Sequence, residues 1–327
     1  MKFLPLACAC IPSLTILAAP AHMPTHKNFY IEGDLLYMRR TEGHTQSIVK
    51  REKCTLSGCE ETSQMTAGGL IDNFNFECGW RLGAYLRTAK TRWLEATYMH
   101  IDPWAATKEA HGDQDLLFPF ATKHLVPGFS FADRALSHEV SHLEGGELNY
   151  WIFMTPSRAN YFSFSWLAGL RYLRLDESFS VSFLEGLGDG RYETSTQNHL
   201  YGAQLGADLQ MNPLRFLSLD LSAKIAGYWN FAEQHTYVGD LNKTLILRHT
   251  DAHNDNAALG LDIAAFFSLY ISRYARIKIG YEMLYLTRLA LAPEQVRKDI
   301  LGSDGKHINT NGEALIHGGF AGLSIGF

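Results

Sequence analysis

The sequence predicts an all-β fold, a transmembrane antiparallel up-and-down β-barrel of one domain. Three observations carry that reading. Long stretches alternate apolar and small or polar residues with period two, as in strands whose two faces meet different surroundings. The mean hydropathy is −0.12, too polar for a bundle of membrane helices but normal for a barrel, where only alternate residues meet lipid. The connections between the alternating stretches are short and long by turns. The net charge of −5 argues against a nucleic-acid partner, because there is no basic excess to release counterions.

Taken in order, the chain begins with a leader. Lys2 is followed by the apolar run FLPLACACIPSLTILAA, which ends at Ala19-Pro20-Ala21. A charged start, a short apolar segment and a small-x-small site form a signal peptide, with cleavage expected after Ala21. Residues 22–327 then form the barrel domain, exported to the outer membrane. The first strand starts at Phe29, with Phe29, Ile31, Gly33, Leu35 and Tyr37 opposed to a face bearing Glu32 and Asp34. Residues 41–73, rich in Thr, Ser, Glu and Gly, read as a long loop. Within it Cys54 and Cys59 enclose TLSG and are disulfide candidates in an oxidising compartment. Their spacing matches no zinc pattern.

A hairpin follows, with Phe76, Cys78, Trp80, Leu82, Ala84 and Leu86 on the oily face, and a tight turn at Lys90 leads into WLEATYMHI. Residues 102–135 break the pattern and read as a second long loop. The strand ELNYWIFM turns at TPSRAN into YFSFSWLAGLRYL, where Phe162, Phe164, Trp166, Ala168, Leu170 and Tyr172 share one face. SFSVSF reads as a short strand that leads to the loop tip LEGLGDGR in a loop excursion, and two long strands near 198 and 217 turn at Gln210–Leu214. RHTDAHNDN reads as a solvated loop before strands near 257 and 275. The last strand, EALIHGGFAGLSIGF, places Phe327, Ile325, Leu323 and Ala321 on its oily face and resembles the closing strand of bacterial outer-membrane barrels.

Short turns near 90, 157, 212 and 271 alternate with long connections near 55, 118, 185, 242 and 300, the asymmetry of short periplasmic turns and long extracellular loops. Phe29, Phe162, Phe216, Phe267, Tyr274 and Phe327 fall near the short turns, as an interfacial girdle. The count is about ten strands, with roughly 8 to 14 fitting the same pattern.

The segments WLAGLRYLRLDESFSV, YETSTQNHLYGAQLGADLQ and LSLDLSAKIAGYWN, with HNDNAALGLDIAAFF, IKIGYEMLYL and HGGFAGLSIGF, resemble the β-barrel porin family known mainly from planctomycetes. More loosely, the chain is similar to chlamydial and legionella-type major outer-membrane proteins. The resemblance implies an outer-membrane barrel, embedded in lipid, inserted by the barrel assembly machinery through the strand ending at Phe327, and able to form oligomers. It supplies no catalytic residues and no cofactor.

Charged residues on the second face cannot meet lipid, where an Arg or Lys at midplane costs about 2 to 4 kcal/mol. Glu32, Asp34, Arg81, Arg87, Glu95, Arg171, Asp208, Asp220, Lys224, Asp262, Lys278 and Glu282 are therefore expected to line the lumen. The string Gly322-Leu323-Ser324-Ile325-Gly326 fits G-x-S-x-G but lies inside the closing strand, not at the strand-to-helix turn a nucleophile elbow needs, so no enzyme activity is expected, and no metal site is expected. The expected function is porin-like diffusion of ions or small solutes. The alternative is a structural or adhesive barrel acting through its surface loops.

Overall fold

The computed structural model describes residues 28–41, 46–55, 58–119, 126–154, 161–186, 188–272, 274–296 and 307–327. The expected leader, residues 1–21, and the expected turn at 155–160 lie outside the described residues. Twelve strands form one sheet: β1 (Phe29–Thr41), β2 (Ser47–Thr55), β3 (Gly58–Thr66), β4 (Glu77–Ala89), β5 (Arg92–Leu117), β6 (Ala132–Phe153), β7 (Phe162–Leu184), β8 (Gly190–Leu214), β9 (Leu217–Asp240), β10 (Ile246–Tyr270), β11 (Ala275–Leu289) and β12 (Gly312–Gly326). The hairpin β2–β3 hangs from β5, and without it ten strands remain. They run β5-β4-β1-β12-β11-β10-β9-β8-β7-β6, and β6 pairs back onto β5 to close the barrel. A closed sheet leaves no edge, the condition for crossing lipid with strands.

On the short-turn half, the outer face is the apolar set read from the sequence. Leu35, Leu170, Leu205, Ile225 and Ile279 are all about 60 to 70% exposed, a surface that lipid must cover. Phe29, Phe162, Phe216, Phe267, Tyr274 and Phe327 are exposed at the same end, with the Phe29 and Phe327 rings 6.4 Å apart.

Above this band the alternation changes phase. In β7 the apolar residues sit at even positions up to Tyr172 and at odd positions from Leu173, through Leu175, Phe179, Val181 and Phe183, all buried. The same inversion separates Leu35 from Leu36 and Met38 in β1, Tyr98 from Ile101 in β5, Tyr281 from Leu284 in β11, and Leu323 from Phe320 in β12. Its cause is a change of both surroundings at one level. Outside, lipid gives way to water; inside, a polar lumen gives way to an apolar core.

Several segments expected to be loops are therefore strand. A membrane crossing needs about 9 to 11 tilted residues, but β5 has 26 residues and β8 and β10 have 25 each. β5 and β6 take in most of residues 102–135, RHTDAHNDN belongs to β10, and SFSVSF, expected as a separate short strand in a loop excursion, is the continuation of β7. Only five residues join β9 to β10, in a turn where Asp240 Oδ1 accepts from the Leu245 amide. Residues 41–73, also expected as a loop, hold β2, β3 and the short helix α1 (Ala67–Ile71), which is capped by Thr66 Oγ1 accepting from the Gly69 amide.

This insertion folds inward. Ile48, Val49, Met65, Leu70, Ile71 and Phe74 are at most 1% exposed and join one apolar core with Trp104, Phe118, Phe129, Phe179 and Phe183. A 3-10 turn (Ala292–Gln295) enters from the neighbouring β11–β12 connection and reaches across to β7 and β8, fastened by the Ala292 amide donating to Glu177 Oε2 (2.8 Å) and by Tyr192 donating to the Gln295 carbonyl (3.1 Å). The long-strand end is thus packed like a soluble protein. Register sets Cys54 opposite Cys59 in the β2–β3 hairpin. Cys59 is disulfide-bonded, and the Cys54 side chain lies outside the described residues.

Candidate functional site: a charged chamber beneath an apolar layer

Inside the short-turn half lies a cavity of about 1070 Å³. Its lining runs from Lys90, Pro213, Ser272 and Tyr274, beside the short turns, up to Met38, Ile101, Leu143, Leu173, Leu284 and Phe320. The turn end is polar and the inner end is apolar. Every inward residue predicted from the sequence lies on this face, and all except Asp34 line the cavity itself. Asp34 sits just behind the lining, buried under Arg81 and Lys278.

The charges are organised into pairs by register. On one wall β1, β4, β11 and β12 are neighbours, so Glu32 and Asp34 meet Arg81, Arg276 and Lys278. Lys278 Nζ lies 2.5 Å from Glu32 Oε1 and 2.9 Å from Asp34 Oδ2. Arg81 bridges Asp34 and Glu282, 2.8 Å to each. Arg276 reaches Glu32 Oε2 at 2.7 Å, and Ser324 donates to the same oxygen. Gly322 makes the room: a Cβ there would stand 2.0 Å from Asp34 Oδ1 and 2.9 Å from Lys278 Cε.

On the facing wall Glu147 accepts from Lys224 (2.9 Å) and Gln204 (2.8 Å) and pairs with Arg171 (3.2 Å), whose other arm reaches Asp262 (3.2 Å). Asn149 and Trp151 both donate to Glu95 Oε2. Asp220 accepts from Gln210, Ser218 and Ser268. Arg87, at the chamber mouth, donates to the carbonyls of Ala89 and Lys90.

Sequence reasoning missed Glu147 and Arg276 as members of this network. Both lie on the correct face, and their signal was the lipid cost of a charge, the same rule that found the others.

Over the chamber lies the apolar layer. Leu36, Met38, Ile101, Leu143, Leu173, Ile316 and Phe320 point inward from β1, β5, β6, β7 and β12, an arc of wall interrupted only by β4, and are at most 4% exposed. Above it comes a second buried charge cluster. Arg40 NH1 stands 2.5 Å from Glu177 Oε1 and 3.7 Å from Glu139 Oε1, with all three side chains at 0% exposure. Glu294 is buried nearby, and its charge acts on both glutamates.

Burial pushes the Glu139 carboxyl well above the usual range, the Glu177 charge pushes the same way, and Arg40 only partly opposes them. A carboxyl raised on folding contributes stability below its unfolded pKa, and that stability is lost as pH rises through the folded value. Glu139→Gln is therefore expected to leave stability near pH 4 almost unchanged. At pH 8 it should add about 1 to 3 kcal/mol, the cost of a poorly satisfied buried polar group. Unfolding midpoints in detergent at the two pH values measure the difference.

No family model matches the chain, and no characterised protein matches it by sequence. Among solved structures, the chain is similar to the outer membrane protease OmpT of Escherichia coli, at 11% identity over 96% of this chain and 99% of that one, with a TM-score of 0.53. It also aligns with a major outer membrane protein of Thermus thermophilus (10% identity, 91% and 99% covered, TM-score 0.35). A third is a FadL homologue of Pseudomonas aeruginosa (7% identity, 92% and 90% covered, TM-score 0.28). The first likeness places the chain in the fold of outer-membrane β-barrels. Shared folds host unrelated activities, so no activity comes with it.

Proposed function

We propose that the chain is an outer-membrane porin-like barrel of small bore, closed at rest by the apolar layer, with the short turns in the periplasm and the long-strand end outside. The observation that carries this reading is the chamber itself: a cavity of about 1070 Å³, at the level of the lipid band, lined by charges of both signs and reaching the short turns. At about eight strands side chains can fill a barrel's interior; the ten strands here leave it open in the short-turn half. The apolar layer suits a hydrophobic constriction, which gates by dewetting. The planctomycete porin resemblance, removal of residues 1–21, the lumen roles of the paired charges and a Cys54–Cys59 disulfide belong to the same proposal.

A second reading has its own support. The outer faces of β7 to β10 rise well past the apolar band and carry Arg174, Asp176, Glu193, Glu233 and Asp251, a polar wall suited to adhesion or to a structural role.

Planar-bilayer recording of the refolded protein separates the two. The porin reading expects a quiet baseline broken by brief, small openings, whose ion selectivity shifts when Arg171 or Lys224 is replaced by Gln. A folded barrel without openings, whose removal from cells alters attachment and leaves solute uptake unchanged, would establish the second.

A further inference from the structure

Outside the lumen, one cluster of side chains among the described residues is arranged as ligands. His100 on β5 and His142 and Glu144 on β6 point outward, just above the lipid band, and one ligand atom from each lies within 4.8 Å of the other two. His100 Nδ1 is 3.3 Å from His142 Nε2. That lies at the long end of hydrogen-bonding distance. It matches the edge of a tetrahedron around zinc: ligands at about 2.0 to 2.1 Å stand about 3.3 to 3.4 Å apart.

The surroundings support the same assignment. The second nitrogen of His100, Nε2, faces Asp102 Oδ1 at 3.6 Å. That is beyond a hydrogen bond, but it sets a carboxylate on the side of the distal nitrogen, from which a carboxylate fixes the tautomer of a metal-bound histidine. Glu144 is oriented by the Tyr98 hydroxyl, which donates to its Oε2 at 2.9 Å. Arg174 approaches Glu144 Oε1 only to 3.5 Å, and turns its other nitrogen to Asp176 at 2.8 Å. Thus this neighbouring cation is held by its own acid. His100 and Glu144 keep 29% and 23% of their side chains exposed, so an ion can enter from solvent.

We propose that His100, His142 and Glu144 bind a borderline divalent cation of the Zn²⁺ class, with solvent in the fourth position. Two imidazoles and one carboxylate select such ions over Ca²⁺ and Mg²⁺, which require oxygen ligands. The ion would clip β5 to β6, consecutive strands whose register is broken between Ile101 and Trp104 and again between His111 and Leu116. The clip lies beside the first of these breaks. The proposal concerns the outer surface and stands apart from the reading of the lumen.

The test uses the untagged, refolded full chain in detergent. Titration with Zn²⁺ followed by calorimetry should show one site, and Co²⁺ should give the visible absorption of a tetrahedral complex. His100→Ala, His142→Ala and Glu144→Gln should each weaken Zn²⁺ by at least about tenfold, the loss expected even for an outer-shell change. Tyr98→Phe should weaken it by less. His199→Ala and His235→Ala, at other outward histidines, should have no effect, and Ca²⁺ and Mg²⁺ should not compete. Each variant is checked for the heat-dependent gel mobility of a folded barrel. The proposal is overturned if folded His142→Ala binds Zn²⁺ like the parent, or if His199→Ala and His235→Ala weaken binding as much as His142→Ala does.

Discussion

Lys278→Met is expected to cost about 3 to 5 kcal/mol of barrel stability at neutral pH, the loss typical when one partner of a buried ion pair is removed. The size follows from the site. Lys278 exposes only 7% of its side chain, holds Glu32 at 2.5 Å and Asp34 at 2.9 Å, and lies 5.2 Å from the Phe320 ring centre. Methionine fills the same volume but leaves two carboxylates sharing Arg81 and Arg276. Asp34→Asn in the same background should recover a large part of the loss, because it removes the charge left least compensated. The double-mutant cycle, read from unfolding midpoints in detergent, should therefore give a coupling well above zero. If Lys278→Met unfolds within about 0.5 kcal/mol of the parent, as ordinary surface changes do, the chamber is wet enough to screen its charges, and pairing is not what holds this wall.

The lipid half of the barrel was legible because lipid tolerates so little. An apolar residue must stand at every outward position, so Leu170, Leu205 and Ile279 declare their direction, and Glu32, Arg171 and Lys224 must point the other way. Pairing was not legible. Arg171 meets Asp262 across 91 residues of sequence, and only the order of the closed sheet brings them together.

The upper half was misread for a related reason. Ser178, Ser180 and Ser182 alternate with Phe179, Val181 and Phe183 as regularly as anything below them, but with opposite phase, so a pattern tuned to lipid breaks there and suggests a loop. The phase change between Tyr172 and Leu173 is itself the signal: it marks the outer edge of the lipid band and the apolar layer inside with a single step. The zinc-class cluster was hidden differently. His100 and His142 are 42 residues apart and belong to no local motif; they meet because β5 and β6 are paired.

Two barriers in series close the lumen, and this sets the largest functional effect expected. The lower is the layer that includes Leu173, Leu284 and Phe320; the upper is the core built around the inserted hairpin, α1 and Phe74. Leu284→Ala with Phe320→Ala widens the layer but leaves Ile71, Phe74 and Phe118 in place above it. Replacing residues 46–74 by a short Gly-Ser linker removes much of the upper core but leaves the layer. Each change alone should therefore leave bilayer recordings close to the quiet parent. Combined, they should give a steady conductance, because water then meets no continuous apolar section between the chamber and the long-strand end. Deleting buried Leu or Phe side chains costs about 2 to 5 kcal/mol each, so folding is checked first by the heat-dependent gel shift. The selectivity of the opened channel should follow the chamber charges, moving toward cations with Arg171→Gln and toward anions with Asp262→Asn. A combined variant that folds and still does not conduct would mean that the chamber has no route outward, and the porin reading would give way to a barrel that works only through its outer wall.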